Sequence, residues 1–242
     1  MRQPQESTAA GSRRSTGGNV AAGALALIRE VALVLAIALG LSLLIKTFLV
    51  QAFYIPSASM QNTLEAGDRV LVSKLSPGPL SLHRGDIVVF ADPGGWLTPS
   101  FEEPESPVRS AIRSTLTFVG LLPSDSGEHL IKRVIGLPGD KVACCDAAGR
   151  LTVNGVAINE PYLFPGNRPS DIDFSVTVPP GRIWVMGDHR SVSEDSRFHR
   201  DVHDGTVPID DVVGKAFVVV WPPGRMEILH NPEAAFAHVT PQ

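Results

Sequence analysis

The chain has 242 residues, 43% of them hydrophobic, enough to bury one sizeable core. Its 21 basic and 25 acidic residues give a net charge of −4 and a pI near 6.0, and only 6% are aromatic. Neither the basic surface nor the base-stacking platform of a nucleic-acid binder is present, so no nucleic-acid partner is expected. The two cysteines, Cys144 and Cys145, are adjacent, which excludes a loop-closing staple and offers no CxxC zinc site. Neighbouring Cα atoms sit about 3.8 Å apart, below the usual disulfide range, so two separate, partly buried thiols are expected.

Residues 1–20 are small and polar, with Arg2, Arg13 and Arg14, and read as a disordered tail. Composition turns apolar from Ala21, passes Arg29 and Glu30, and runs uncharged over 31–45 before Lys46 and the apolar residues 47–50. Crossing a bilayer takes roughly 20 helical residues, and 31–50 suffices if Lys46 snorkels to the interface. The expected plan is a tail over 1–24, a transmembrane signal-anchor helix over 25–50 and an extracytoplasmic domain over 51–242. Arg2, Arg13, Arg14 and Arg29 all precede the span, which keeps the N-terminus cytoplasmic. A cleavable signal peptide, with Val50 and Ala52 before the cut, and a buried core helix are the alternatives. The apolar run is longer than the roughly 7–15 residues of a signal-peptide core.

FYIPSASM, residues 53–60, follows within a few residues of this run. A proline and two closely spaced serines are an unusual exit from a hydrophobic segment. If Ser59 is a nucleophile, the chain must also supply a base and donors for an oxyanion.

Beyond it, apolar runs rich in Val, Ile, Leu and aromatics at 70–72, 86–90, 130–135, 151–158, 182–186 and 215–221 are bounded by Gly, Pro or Asp and read as strands. Asn154 and Gly155 sit between LTV and VAI, a type I′ hairpin signal. The part after the span is therefore mainly β. Residues 92–107 read as a loop. Residues 108–122 carry Val108, Ile112, Leu116 and Val119 near helical spacing, either a core-packing or a membrane-surface helix. Residues 92–127 together form a variable insertion.

Of the few lysines, Lys132 lies in HLIKRVIGLPGD, where a strand puts Leu130, Lys132 and Val134 on one face. Burial among such neighbours lowers a lysine pKa. A reference value of ~10.4 leaves well under 1% of the amine free near neutrality, so a useful base needs a drop of roughly two to three pH units. Read from pattern alone, a solvated edge lysine is the plainer alternative. The polar stretch GDHRSVSEDSR, 187–197, is either a turn supporting a site or a surface loop closed by Asp195 and Arg197. His199 and His203 are four apart, but without an HExxH pattern they read as two surface histidines rather than metal ligands.

Taken together, PSASM after a membrane span, GDIVVF at 85–90, IKRVIGLPGD at 131–140 and GDHRSVSEDSR at 187–197 resemble the bacterial type I signal peptidases, over roughly residues 30–222. The resemblance implies a coiled β-sheet or partly open barrel. It also implies a cofactor-free Ser/Lys serine endopeptidase that removes signal peptides from exported preproteins, cutting after small residues of the Ala-x-Ala type. Its partners would be preprotein signal peptides and membrane lipid, near the secretion machinery. On this resemblance Ser59 is the nucleophile and Lys132 the general base. Ser57 joins the Ser59 N–H in the oxyanion hole, Ser193 orients the lysine, and Asp195 and Arg197 support the site. Phe53, Ile55, Leu130 and Ile131 line substrate pockets, and the peptide lies extended beside residues 86–90. His189, Ser191 and Val192 stand where the family commonly has Asn, Asp and Asn. A soluble Ser/Lys self-cleaving regulator would carry a DNA-binding region in place of the span. A catalytically inactive membrane-anchored β-module would not need both Ser59 and Lys132.

Overall fold

The computed structural model describes residues 17–97, 106 and 129–240, in two units divided after Leu43. The expected helix over 108–122 and all of the insertion except residues 92–97 and 106 lie outside the described residues. Helix α1 (Gly17–Phe48) contains Leu27–Phe48, 22 residues long and apolar enough to cross a membrane. Leu33, Ile37 and Leu41 are exposed along it, as suits a helix whose apolar surface meets lipid rather than a core. The helix begins at Gly17, inside the stretch expected to be a tail, because the alanine-rich residues 21–28 favour it. It ends at Phe48, and Val50 already opens strand β1 (Val50–Tyr54).

The second unit is mainly β. One sheet runs β1, β2 (Arg69–Ser73), β11 (Val212–Trp221), β3 (Ile87–Ala91), β4 (His129–Gly136), β9 (Arg182–Met186) and β10 (Val207–Pro208), with β12 (Glu227–Ile228) on β11. It ends on β1 and β10 and so is not a closed barrel. A second sheet runs β7 (Val156–Ala157), β6 (Thr152–Val153), β5 (Lys141–Cys144) and β8 (Phe174–Thr177). The hairpin between β6 and β7 turns at Asn154 and Gly155, both with positive φ, as expected. Strands β5 and β8 lack a continuous apolar run, since buried Val142 and Val176 alternate with polar or small neighbours, and the sequence reading passes over them.

Strand β4 is central. Leu130 and Val134 pack into one cluster with Phe90, Trp96, Ile183 and Val185. Ile131 enters a second with Phe53, Ile55, Met60 and Leu64, and Ile135 a third against the smaller sheet. A strand buried on both faces gives any charge on it little access to water. Cys144 and Cys145 are joined to each other across a cis peptide, which brings their Cα atoms to 3.0 Å, in place of the separate thiols expected.

Candidate active site

The chain leaves β1 with Phe53 buried, and Ile55 continues the pairing through hydrogen bonds to Asp68 O (2.9 Å) and from Gly67 N (2.8 Å). A tight turn follows, tied by Gln61 N to Ala58 O and Leu64 N to Met60 O. Met60 and Leu64 are wholly buried, so Ser59 sits on a segment anchored in the core immediately after it. From the far side, His189 N–H donates to Ser59 O (3.1 Å). That approach is possible because residue 187 is glycine: a Cβ there would collide with Ser59 O and the Ser193 hydroxyl.

Lys132 projects from β4, 4% exposed, and its Nζ donates to Ser59 Oγ at 2.7 Å. Burial pushes the ammonium down to about 8, against the pull of Asp195 and Asp188, which favour the charge. The difference from 10.5 corresponds to roughly 3 kcal/mol in favour of the neutral amine. About a tenth of the enzyme then holds a free amine near neutral pH. Ser57 Oγ lies 3.3 Å from Ser59 Oγ. Among the described residues the Ser59 N–H has no acceptor, so it is open to a ligand.

Asp195 and Arg197 are paired as expected (Nε to Oδ1, 2.8 Å), but in the interior rather than on a surface loop. Burial works against the Asp195 charge. The Arg197 guanidinium and the Gly187 N–H (3.0 Å) outweigh it and hold the carboxyl below its ordinary value. Arg197 Nη2 also donates to Arg190 O (2.8 Å), closing the 187–197 turn. The Ser193 hydroxyl is buried close to Gly187 and is among the groups that lower the Asp195 carboxyl, while the Lys132 Nζ donates to Ser59 Oγ.

A second set of buried charges escapes the sequence reading. Arg133 binds Asp188 through Nε (2.8 Å) and Nη2 (2.6 Å) and reaches Gly85 O (2.7 Å). Thr63 Oγ1 donates to the same carboxylate at 2.5 Å. Arg190 pairs with Glu160, which accepts from the Tyr162 hydroxyl (2.9 Å), and the Tyr162 ring stacks under Arg133. Arg133 and Asp188 lie inside two of the boxes already quoted, 131–140 and 187–197. Only pairing across 55 positions of sequence reveals that they belong together.

A cleft of about 260 Å³ opens beside the dyad, with Phe53, Ile55, Ser57 and Ser59 on one side and His129, Leu130, Ile131 and Lys132 on the other. All four expected pocket residues line it, joined by Val89, Trp96 and Leu97. The expected position of the peptide is corrected. Strand β3 is paired along its whole length with β4 and at residues 88–90 with β11, so no edge is left beside 86–90. Among the described residues β1 pairs with β2 alone and β9 joins β4 only from Arg133 onward, and the cleft lies between β1 and the start of β4. The rings of Phe53 and His129, 5.4 Å apart, span the gap between them. His199 is half-buried and stacks on Trp96, whereas His203 is exposed. Among the described residues no cluster of three His, Cys, Asp or Glu could hold a metal.

Residues 28–221 match the family model described as signal peptidase, peptidase S26. A probable signal peptidase I of Mycobacterium leprae is 41% identical over 225 residues, covering 81% of this chain and 77% of that one. Signal peptidase I of Mycobacterium tuberculosis (strain CDC 1551) is 40% identical over 226 residues, covering 84% and 76%. A signal peptidase I crystal structure from Enterococcus faecalis, 28% identical, overlaps 56% of this chain and 97% of that one, with a TM-score of 0.36. On a match that spans most of its length, the chain belongs to the signal peptidase family, peptidase S26.

Proposed function

We propose that the protein is a membrane-anchored serine endopeptidase that removes signal peptides from exported preproteins by a Ser59/Lys132 mechanism. The observation that carries this reading is the 2.7 Å hydrogen bond between a solvent-excluded lysine and a serine hydroxyl at the end of an apolar cleft. A neutral amine there accepts the Ser59 proton as Oγ attacks the scissile carbonyl carbon. The negative charge on the carbonyl oxygen falls to the Ser59 N–H and the Ser57 hydroxyl. Collapse breaks the C–N bond, and Lys132 returns the proton to the departing amine of the mature protein. Water, deprotonated by the same lysine, then hydrolyses the Ser59 ester and frees the signal peptide. Asp195 and Arg197 hold the 187–197 turn that packs Gly187 against the Ser59 segment.

The substrate peptide lies extended along the cleft between β1 and the start of β4, held by main-chain hydrogen bonds to the strands that flank it. Phe53, Ile55, Leu130 and Ile131 contact its small side chains one and three positions before the cut. Helix α1 crosses the cytoplasmic membrane once, with basic residues keeping its N-terminus inside. In sequence Ser59 follows the end of the span by only eleven residues, and signal-peptide cleavage sites emerge at the outer lipid boundary, near the secretion machinery.

Full-length protein in detergent, given a preprotein with an Ala-x-Ala site, should cleave after the second alanine. Ser59→Ala and Lys132→Ala should each lower kcat/KM by about 10⁴-fold or more. Cleavage by either variant at the parent rate would overturn the mechanism.

A further inference from the structure

The loop after β3 has a construction that the mechanism does not use. The Asp92 carboxylate accepts four backbone N–H groups: Oδ1 takes Gly94 (3.1 Å), Gly95 (2.9 Å) and Trp96 (2.8 Å), and Oδ2 takes Leu97 (3.2 Å). Burial is the largest single influence and opposes the charge, but the four donors together outweigh it and hold the carboxyl below its ordinary value. Gly94 and Gly95 have φ of +145° and +87°, which side chains rarely adopt. The result is a wound loop that delivers Trp96 into the cleft, 4% exposed. There the indole meets Phe90 edge-on (5.9 Å) and lies flat on His199 (4.5 Å, 12° between planes). It is held by the wound loop on the backbone side, by His199 stacked on the ring and by Phe90 against it at a right angle.

Its place along the cleft follows from register. Phe90 pairs with Leu130, and Val88 with Lys132, so the Trp96 contact lies two residues from the dyad along β4. Two strand residues span about 6.6–6.8 Å. In an extended substrate, side chains one and three positions before the cut share a face and are separated by that same distance. The dyad marks the first of these positions, and the cleft runs from Lys132 toward His129. We infer that Trp96 is the wall that sets the size of the side chain admitted three positions before the cut, and that Asp92 is the positioning residue that holds it there. This rests on the peptidase reading above.

The test compares kcat/KM for two otherwise identical preproteins with Ala or Leu at the third position before the cut, and for a second pair differing only at the first position. In Trp96→Ala the Leu/Ala ratio at the third position should rise at least tenfold, the size of effect that a few methylenes in an apolar pocket produce. The ratio at the first position should stay within about twofold, since its surroundings are the dyad residues rather than the indole. Asp92→Ala, which keeps the indole but frees the loop, should raise the third-position ratio in the same direction, and Trp96→Phe should fall between the parent and Trp96→Ala. A third-position ratio that fails to rise in variants with native circular dichroism, or a change confined to the first position, overturns the inference. Failure of the parent protein to cleave any of the preproteins, or equal cleavage by Ser59→Ala, would instead overturn the peptidase reading.

Discussion

Lys132 and Arg133 are neighbours on β4, almost equally buried, yet the protein treats their charges in opposite ways. Lys132 faces a hydroxyl and apolar side chains, so burial dominates and its pKa falls to about 8. Arg133 faces Asp188 in a two-pronged pair, with Gly85 O and the Tyr162 ring completing its surroundings. Burial opposes its charge as well, but Asp188 more than offsets this and holds the guanidinium above its ordinary value. The contrast shows that desolvation alone does not make a base. What matters is whether a counter-charge is supplied, and on the Lys132 face the nearby Asp195 carboxylate is occupied by Arg197.

The comparison can be broken most forcefully on the Arg133 face. Arg133→Ala leaves Asp188 buried with Thr63 as its remaining side-chain donor, and should cost about 3–5 kcal/mol of unfolding free energy. Denaturant unfolding followed by circular dichroism of the β unit would measure it, and a loss under about 1 kcal/mol would mean the pair is not desolvated as described.

Lys132→Met should do the reverse, raising stability at pH 7 by up to roughly 3 kcal/mol while abolishing cleavage. The sign follows from the lowered folded-state pKa. Below about pH 8 the lysine is charged in both folded and unfolded states, and the burial penalty is fully present. Between about 8 and 10.5 the unfolded chain binds more protons, so parent stability rises with pH and the advantage of Lys132→Met shrinks. An advantage that does not change over that range would contradict the assignment. Activity of the parent should rise with pH through an apparent pKa near 8 and level off above it. A rise only near 10 would place the lysine in water.

The smallest effect should come from Tyr162→Phe. It deletes the 2.9 Å bond to Glu160 but keeps the ring under Arg133, and should cost about 1 kcal/mol with little change in kcat.

Much of this was legible without coordinates, for reasons that differ between elements. The apolar run ending at Phe48, the hairpin at Asn154 and Gly155 and the strands rich in β-branched residues all follow from local composition, because a helix in lipid, a type I′ turn and a buried strand each need particular residues at short spacing. Ser59, Lys132, Asp195 and Arg197 were legible for a different reason, the resemblance of the sequence boxes to a known family, and the structure brings the first two to 2.7 Å and the last two to 2.8 Å. Short and alternating strands such as β5 and β8 were passed over because four residues carry too little periodicity.

Tertiary structure alone decided the electrostatics and the walls of the cleft. No spacing rule tells that Arg133 meets Asp188 and Lys132 does not, since partners so far apart in sequence are chosen by how the sheet coils. Nor could the sequence show that β3 is paired on both sides, which leaves β1 and the start of β4 as the walls of the cleft. The same holds for Trp96, which looked like part of an irregular loop until Asp92 was seen to wind that loop into the cleft. Sequence determines which groups are available and which segments are straight. The low-dielectric surroundings that turn a lysine into a base exist only once distant strands have closed around it.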